Sequence, residues 1–304
     1  MKLRDSFHPY AMVTIIFWSL AYVLTRLALQ YFSVFSLGFL RYFVASCTLA
    51  VIAVFTKMKP PHKSDLPWFL AAGAIGFFLY MIAFNKGQET VTASTGSVVI
   101  ATVPVITALL ARFVYQEKLR NFQWAAIVIE FAGVVVLTLM DGVFSINTGL
   151  LWLLLAALAL SIYNLLQRKL TKTYPALQTS AVSIFFGTLL LAVFLPASAG
   201  EVSHAPGIQL FYVAVLGIFS SAVAYAAWSK AFAKAKQTSQ VSNYMFITPF
   251  LTSLLGILIA DEIPDKATLI GGAIIIIGVF VFNFGEKIYE AAKNSLINGL
   301  NSNK

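Results

Sequence analysis

Charged residues and cysteine are scarce in this chain of 304 residues. Only 11% of the residues are Asp, Glu, Lys or Arg, and Cys47 is the single cysteine. The low charge excludes an ordinary soluble domain, in which about a quarter of the residues are charged. One cysteine excludes a disulfide scaffold. Because the three histidines, His8, His62 and His204, are scattered, they lack metal-ligand spacing, so we expect no metal and no other cofactor.

Apolar residues make up 59% of the chain, and its mean hydropathy is high, at +0.83. This excludes a disordered chain. A helix needs about 20 apolar residues to cross the roughly 30 Å hydrocarbon core of a bilayer. The sequence predicts an all-α polytopic membrane protein with ten transmembrane helices. The predicted spans are 10–29, 32–56, 67–85, 91–115, 122–140, 148–167, 177–197, 208–230, 238–260 and 267–284.

Basic residues are distributed unevenly between the two predicted sides. If the N-terminus is cytoplasmic, only Arg26, Lys86 and Lys266 lie in outer segments and Arg41 lies within a span, which leaves 17 of the 21 basic residues on the inner side. This positive-inside bias predicts cytoplasmic termini and a plasma (inner) membrane location. It also explains the net charge of +9 by attraction to anionic lipid, so nucleic-acid binding is unnecessary.

The second half of the sequence repeats the first. A shift of 145 residues places 68–137 on 213–282 without a gap, with Pro104 on Pro249 and Glu117 on Glu262. Five spans per unit turn the second unit upside down, and such inverted repeats place a substrate site near the midplane, where the halves meet. We predict a first five-helix unit at 1–145, a second, inverted unit at 146–286, and a cytoplasmic tail with a frayed end at 287–304.

The sequence resembles the EamA branch of the drug/metabolite transporter superfamily. The stretches that carry the resemblance are Tyr225 to Lys230, Ser242 to Pro249, Leu254 to Glu262, Gly271 to Val279 and, in the first half, Ser94 to Pro104 with Glu117 and Gly133. The resemblance implies ten helices around one cavity and transport of small metabolites, commonly export of amino acids. One departure is that the first span, which reads Thr14 to Trp18 at its centre, has no acid, and this disfavours carboxylate-driven antiport of cationic drugs.

Aromatic residues within the spans are candidates for substrate binding. Their faces hold an ammonium group by cation–π attraction, while their polar atoms donate hydrogen bonds. The alternative is packing or an interfacial belt. The candidates, on spans that the resemblance places around the cavity, are Trp18, Tyr22, Tyr80, Tyr163, Tyr225 and Trp228.

Polar residues and prolines in the spans complete the candidate site. Ser97, Asn164 and Asn243 are the polar candidates, although a membrane hydroxyl also commonly bonds its own backbone. Pro104 and Pro249 each leave a carbonyl without its usual donor and bend the helix.

Two ionisable residues, Arg41 and Glu130, fall near the predicted midplane, where charge is expensive. Three interpretations stay open: a structural ion pair, titration of Glu130 during transport, or an Arg41 that reaches outward to the interface.

The function predicted from the sequence is transport of small polar or zwitterionic metabolites, with amino-acid export favoured, by alternating access. A drug or quaternary-amine transporter is the alternative. An intramembrane enzyme is disfavoured because no catalytic group is visible within the spans. The expected partners are a small-molecule substrate and membrane lipid. Since one chain already carries both halves, we expect a monomer.

Overall fold

The structure is a computed structural model that describes residues 6–116, 119–139, 147–234 and 243–302. Within these ranges, helices are the only regular secondary structure, which confirms the all-α prediction. A helix satisfies its backbone donors and acceptors internally, as a chain in lipid requires.

The described residues form ten helical segments, three of which have irregular parts. Their bounds are α1 His8–Ala28; α2 Val34–Phe55; α3 Lys63–Gln88; α4 Ala93–Tyr115; α5 Asn121–Leu139; α6 Thr148–Leu170; α7 Ala176–Ser203; α8 Gly207–Val215, Leu216–Val223 and Ala224–Lys234; α9 Asn243–Ile247 and Thr248–Ala260; and α10 Lys266–Ser302.

Seven of these segments, α1 to α4 and α6 to α8, are long and apolar enough to cross a membrane. Shorter apolar helices occupy Asn121–Val136, Thr248–Ala260 and Lys266–Phe282. The chain therefore has the build of a multi-pass membrane protein, while the count of ten crossings stays a prediction. The sequence predicted a frayed end for the tail at 287–304, whereas α10 continues as a helix to Ser302. Its Glu, Lys, Ala and Leu residues are good helix formers.

Local irregularities of the backbone recur at equivalent positions of the two predicted units. Val103–Tyr115 and Thr248–Ala260 are both helices of 13 residues that begin with proline in the first turn. They are followed by residues with left-handed backbone, Gln116 at φ 58° and Asp261 at φ 52°. These positions lie 145 residues apart, which is the shift that aligns the two halves of the sequence.

Wide π-helical turns recur in the same way. They lie at Ala74–Leu79 in α3 and at Leu216–Val223 in α8, and the two ranges overlap under the shift that aligns the two halves of the sequence. π-Helical turns occur frequently at functional sites, where they redirect side chains.

Helices of the two predicted halves pack on each other throughout the bundle. In the first half α1 packs on α8 and α9, α2 on α7 and α8, α3 on α6 and α7, α4 on α6 and α9, and α5 on α10. The halves are thus interlocked, and the centre of the bundle lies on the boundary between them.

Candidate functional site

A cavity lies at this boundary. Its lining comes from both halves of the chain. The lining residues are Trp18, Ala21, Tyr22, Arg41, Tyr80, Phe84, Ser97, Ile100 and Ala101 from the first half, and Leu160, Tyr225, Met245 and Thr248 from the second.

Aromatic rings form much of the wall. The ring centroids of Trp18 and Tyr225 are 5.5 Å apart in an edge-on arrangement, so these residues join α1 to α8. Phe84 lies 5.3 Å from Tyr22 and 5.6 Å from Tyr80. These centroid distances fall in the favourable range for aromatic pairs. The structure therefore brings together four of the six predicted aromatic residues, and Phe84 is a member that the sequence analysis missed.

Three predicted residues do not line the cavity. Trp228 packs behind Trp18, with ring centroids 5.0 Å apart. Tyr163 is 1% exposed and lies behind the wall against Phe77. Asn164 donates a hydrogen bond to Thr107 at 3.3 Å. Trp228 and, through Phe77, Tyr163 therefore pack against the aromatic wall.

Among the polar residues and prolines predicted for the site on α4 and α9, Ser97 is the only one with a described side chain that lines the cavity. Ser97 lines the cavity, but its hydroxyl donates to the Ser94 carbonyl at 2.7 Å, so it bonds its own helix. Asn243 begins the 3-10 turn of α9, and its side chain lies outside the described residues. Pro104 and Pro249 stand in the first turns of new helices. A helix restarts at each proline, because a proline fits the first turn without losing a hydrogen bond.

Arg41 and Glu130 lie in different places. Arg41, on α2, lines the cavity, and its Nε donates to Ser221 Oγ at 3.0 Å. Glu130, on α5, is 4% exposed and packs against Gly278 of α10. Its Oε1 has no hydrogen-bond partner among the described residues. The ion pair that was one of the sequence-based alternatives does not form in the described part of the chain, because α5 packs on α10 while α2 packs on α7 and α8.

An ion pair that sequence reasoning missed connects the two halves near the cavity. Arg26 lies one helical turn beyond Tyr22, and its Nε donates to Glu262 Oε1 at 2.9 Å. Its Nη1 donates to the carbonyl oxygens of Gln88 and Glu89 at 2.8 and 3.0 Å. Glu262 also accepts from the Ala93 N–H at 2.8 Å. The sequence placed Arg26 and Glu262 at helix ends, but only the packing of α1 on α9 brings them together.

The opposite end of α1 also contacts the second half. His8 Nδ1 and Tyr244 Oη are 2.5 Å apart. Nearby, Ala11, Ile15 and Trp228 form a buried apolar cluster. The first helix is therefore attached to the second half on both sides of the cavity.

A further polar contact joins the halves away from the cavity. The Tyr174 hydroxyl donates to Asp65 Oδ2 at 2.6 Å and accepts from the His62 N–H at 3.0 Å. Burial and the hydrogen bond to Asp65 raise the pKa of Tyr174, because both favour its neutral form.

Comparison with known proteins agrees with this architecture. The sequence profile of the EamA-like transporter family matches twice, at residues 7–139 and 147–284. A solved crystal structure with 19% sequence identity superposes with a TM-score of 0.62, covering 91% of this chain and 96% of the other, and so shares the fold.

Curated relatives are similar over most of their length. The uncharacterized transporter YdfC of Bacillus subtilis is 30% identical over 86% of both chains. The probable terminal-alkyne amino-acid exporter of Streptantibioticus cattleyicolor is 28% identical over 93% of this chain and 95% of the relative. An S-adenosylmethionine uptake transporter of Rickettsia felis is 27% identical over 83% and 84%. These names describe transporters and not enzymes. With two profile matches covering most of its length, the chain belongs to the EamA-like transporter family of the drug/metabolite transporter superfamily and is a multi-pass membrane transporter.

Proposed function

We propose that this protein moves small polar or zwitterionic metabolites, with amino acids as the favoured class, and that it exports them by alternating access through the central cavity. The observation that carries the proposal is the composition of the cavity wall. Its lining residues come from α1 to α4 in the first half and from α6, α8 and α9 in the second. A site between two halves becomes open to either side when one half rocks against the other.

The proposed architecture has ten crossings in two inverted units, 1–145 and 146–286, with both termini in the cytoplasm and the chain in the plasma membrane. The seven long and three shorter apolar helices support ten crossings. The paired 13-residue helices and the paired π-helical segments support two copies of one unit. Five crossings per unit then give the inversion. Since one chain supplies both units, we propose a monomer.

The cavity wall supports an amino acid or related zwitterion as substrate. The faces of Trp18, Tyr22, Tyr80 and Tyr225 offer apolar contact and cation–π attraction for an ammonium group. Two relatives are named for amino-acid compounds, since S-adenosylmethionine carries the amino-acid group of methionine. One is named an exporter and the other an uptake transporter, and we favour export for this chain from its likeness to the exporter across 93% of its length.

The two ends of α1 are proposed as the places where the cavity opens and closes. The Arg26–Glu262 pair connects the halves at one end, and the contact between His8 and Tyr244 connects them at the other. In the proposed orientation, the Arg26 end faces outward and the His8 end faces the cytoplasm, and both connections are formed in this structure. Alternating access requires the two connections to break in turn.

Flux through proteoliposomes tests this function. Purified protein is reconstituted, and efflux of radiolabelled amino acids from loaded vesicles is compared with empty vesicles. We expect saturable flux without chemical change. Tyr225→Ala should reduce flux at least tenfold because Tyr225 lines the cavity, while Tyr212→Ala is the control on the same helix outside it. Equal flux in vesicles with and without protein, across the twenty amino acids, would refute amino-acid transport.

A quaternary-amine or drug transporter is the second candidate, because the same aromatic walls hold cations. The assay separates the two by including choline and ethidium as labelled substrates. Flux of these cations without flux of amino acids would favour the second candidate.

A further inference from the structure

We propose that Arg41 recognises the carboxylate of the substrate, so that the cavity selects carboxylate-bearing zwitterions over amines that lack a carboxylate. This inference rests on the proposed function and names the substrate group that the site requires. It assigns to Arg41 a role different from the ion-pair, coupling and interfacial roles that its position in the sequence suggests.

Arg41 presents unused donors to the cavity. A guanidinium has five N–H donors in a rigid fork. The bond from Nε to Ser221 Oγ, at 3.0 Å, is the only hydrogen bond of this side chain within the described ranges. The two Nη groups are therefore left for a ligand. The residue is 6% exposed, and what remains accessible lines the cavity.

The charge of Arg41 lacks an ionic partner among the described residues. Arginine stays protonated under all ordinary conditions, and a charge at membrane depth is normally paired. The ion pairs between described residues are Arg26–Glu262 and Lys86–Glu89, neither of which includes Arg41. The ring of Tyr42, with its centroid 5.9 Å from Cζ, is a weaker neighbour than a carboxylate. An anionic substrate would complete the arrangement.

The fold fixes the direction of this guanidinium. Gly217 on α8 allows that helix to approach α2 closely, since a Cβ there would come within 2.9 Å of the Arg41 carbonyl oxygen and 2.5 Å of Val44 Cβ. The π-helical turn that begins one residue earlier brings Ser221 to Nε. With Nε held, the Nη end of the fork is pre-oriented, which lowers the entropic cost of binding a carboxylate.

The rest of the wall suits a zwitterion oriented by Arg41. Among the described lining residues, Arg41 alone is charged, so this wall offers no carboxylate to hold a simple cation. Thr248, at the start of its helix, adds a buried hydroxyl with no hydrogen-bond partner among the described residues. The aromatic faces remain for the ammonium group and the side chain. A lone cation would meet the Arg41 charge without compensation, and like charges repel strongly where water is excluded.

Matched ligand pairs test the inference. Four amino acids are each measured beside the amine that lacks only the carboxylate: phenylalanine and phenethylamine, tyrosine and tyramine, histidine and histamine, methionine and 3-(methylthio)propylamine. Binding to the purified full-length protein is read from the shift in melting temperature with ligand concentration. Variants are Arg41→Met, Arg41→Lys and, as a control for loss of charge, Arg112→Met, whose guanidinium lies near Trp124 and outside the cavity.

We expect at least one amino acid to stabilise the wild type and its amine partner to bind at least tenfold more weakly. Arg41→Met should weaken amino-acid binding about ten- to hundredfold, as expected for loss of hydrogen bonds to a charged group. Arg41→Lys should retain part of the binding, because it keeps the charge without the fork. Arg112→Met should bind as the wild type does. If Arg41→Met does not fold, the lysine variant and the ligand pairs on the wild type still decide the question.

Equal binding of acids and amines by the wild type, unchanged acid binding in Arg41→Met, or failure of every acid to stabilise the wild type would each overturn the inference. The proteoliposome flux assay tests the proposed function separately from this inference. Transport of amines as well as amino acids leaves a transporter without carboxylate selection. Carboxylate-dependent binding without flux supports the role of Arg41 and refutes transport of these compounds.

Discussion

Arg26 of the first helix and Glu262 at the end of α9 form a 2.9 Å ion pair, although 236 residues separate them in the chain. Their side chains are 29% and 15% exposed, so the pair is only partly shielded from solvent. Through the carbonyl oxygens of Gln88 and Glu89 and the N–H of Ala93, the same pair also holds the connection between α3 and α4. The contact therefore connects α1, the end of α9 and the α3–α4 connection.

Breaking this ion pair should open the cavity at the Arg26 end of α1. In a Cys47→Ser background, an Ala21→Cys reporter in the wall should react faster with an impermeant thiol reagent applied from outside when Arg26→Gln is added. A partly exposed pair of this kind is worth roughly 1 kcal/mol, or about fivefold in the open population. The double exchange Arg26→Glu with Glu262→Arg should restore slow labelling only in part, because it re-forms the ion pair but not the hydrogen bonds to Gln88, Glu89 and Ala93. An unchanged rate in Arg26→Gln would show that the pair does not govern access.

The predicted inversion of the second unit can be tested with equivalent positions. Gln116 and Asp261 have the same left-handed backbone and occupy matching places in the two units. In the Cys47→Ser background, we expect Gln116→Cys to react only from the cytoplasmic side and Asp261→Cys only from outside. Impermeant reagents added to intact cells and to inverted vesicles measure this. Labelling of both cysteines from the same side would refute both the predicted inverted repeat and the predicted orientation.

The sequence was sufficient for the helical class and the membrane setting. Of the thirteen residues that line the cavity, it named five as binding candidates, namely Trp18, Tyr22, Tyr80, Ser97 and Tyr225. Long apolar runs identify the spans, and aromatic residues inside spans, together with the family resemblance, indicate a site. The Arg26–Glu262 pair and the position of Arg41 were not predictable, because both depend on which helices touch. A helical pattern gives the faces of each helix but not its neighbours, and the spacing of the π-helical turn that brings Ser221 to Arg41 has no clear signature in the residues.

Glu130 is expected to have no part in coupling. It is buried between α5 and α10 and does not line the cavity. Glu130→Gln should therefore leave the pH profile of proteoliposome flux unchanged between pH 5 and pH 8. The Oε1 atom of Glu130 is buried without a hydrogen-bond partner among the described residues, and burial of such an ionisable group is unfavourable. The unfolding temperature of Glu130→Gln should therefore be at or above that of the wild type. A flattened pH profile in Glu130→Gln would instead assign the proton-coupling role to this residue.

Tyr174 should stabilise the contact between the halves in a pH-dependent way. Its pKa is raised by burial and by the hydrogen bond to Asp65, so its contribution is fully present below the unfolded-state value of about 10 and is lost as the pH rises through the folded value. Tyr174→Phe should melt at a lower temperature than the wild type at pH 8, and the difference should shrink above pH 10. Melting curves of both proteins at pH 8, 9 and 10.5 measure this; a constant difference across the series would exclude titration of Tyr174 as the cause.

Close contact at Gly76 should make that position intolerant of any side chain. A Cβ there would overlap the ring of Tyr163, in the wide turn of α3 that supports the cavity wall. Overpacking of this kind costs about 1–3 kcal/mol, so Gly76→Ala should lower the melting temperature and weaken flux by displacing Tyr163. Gly200→Ala is the matched control, because a Cβ at Gly200 meets nothing within 4 Å and alanine favours the helix. Equal stability of the two variants would mean that α3 and α6 can separate without loss, and the support that we assign to Tyr163 would then be unnecessary.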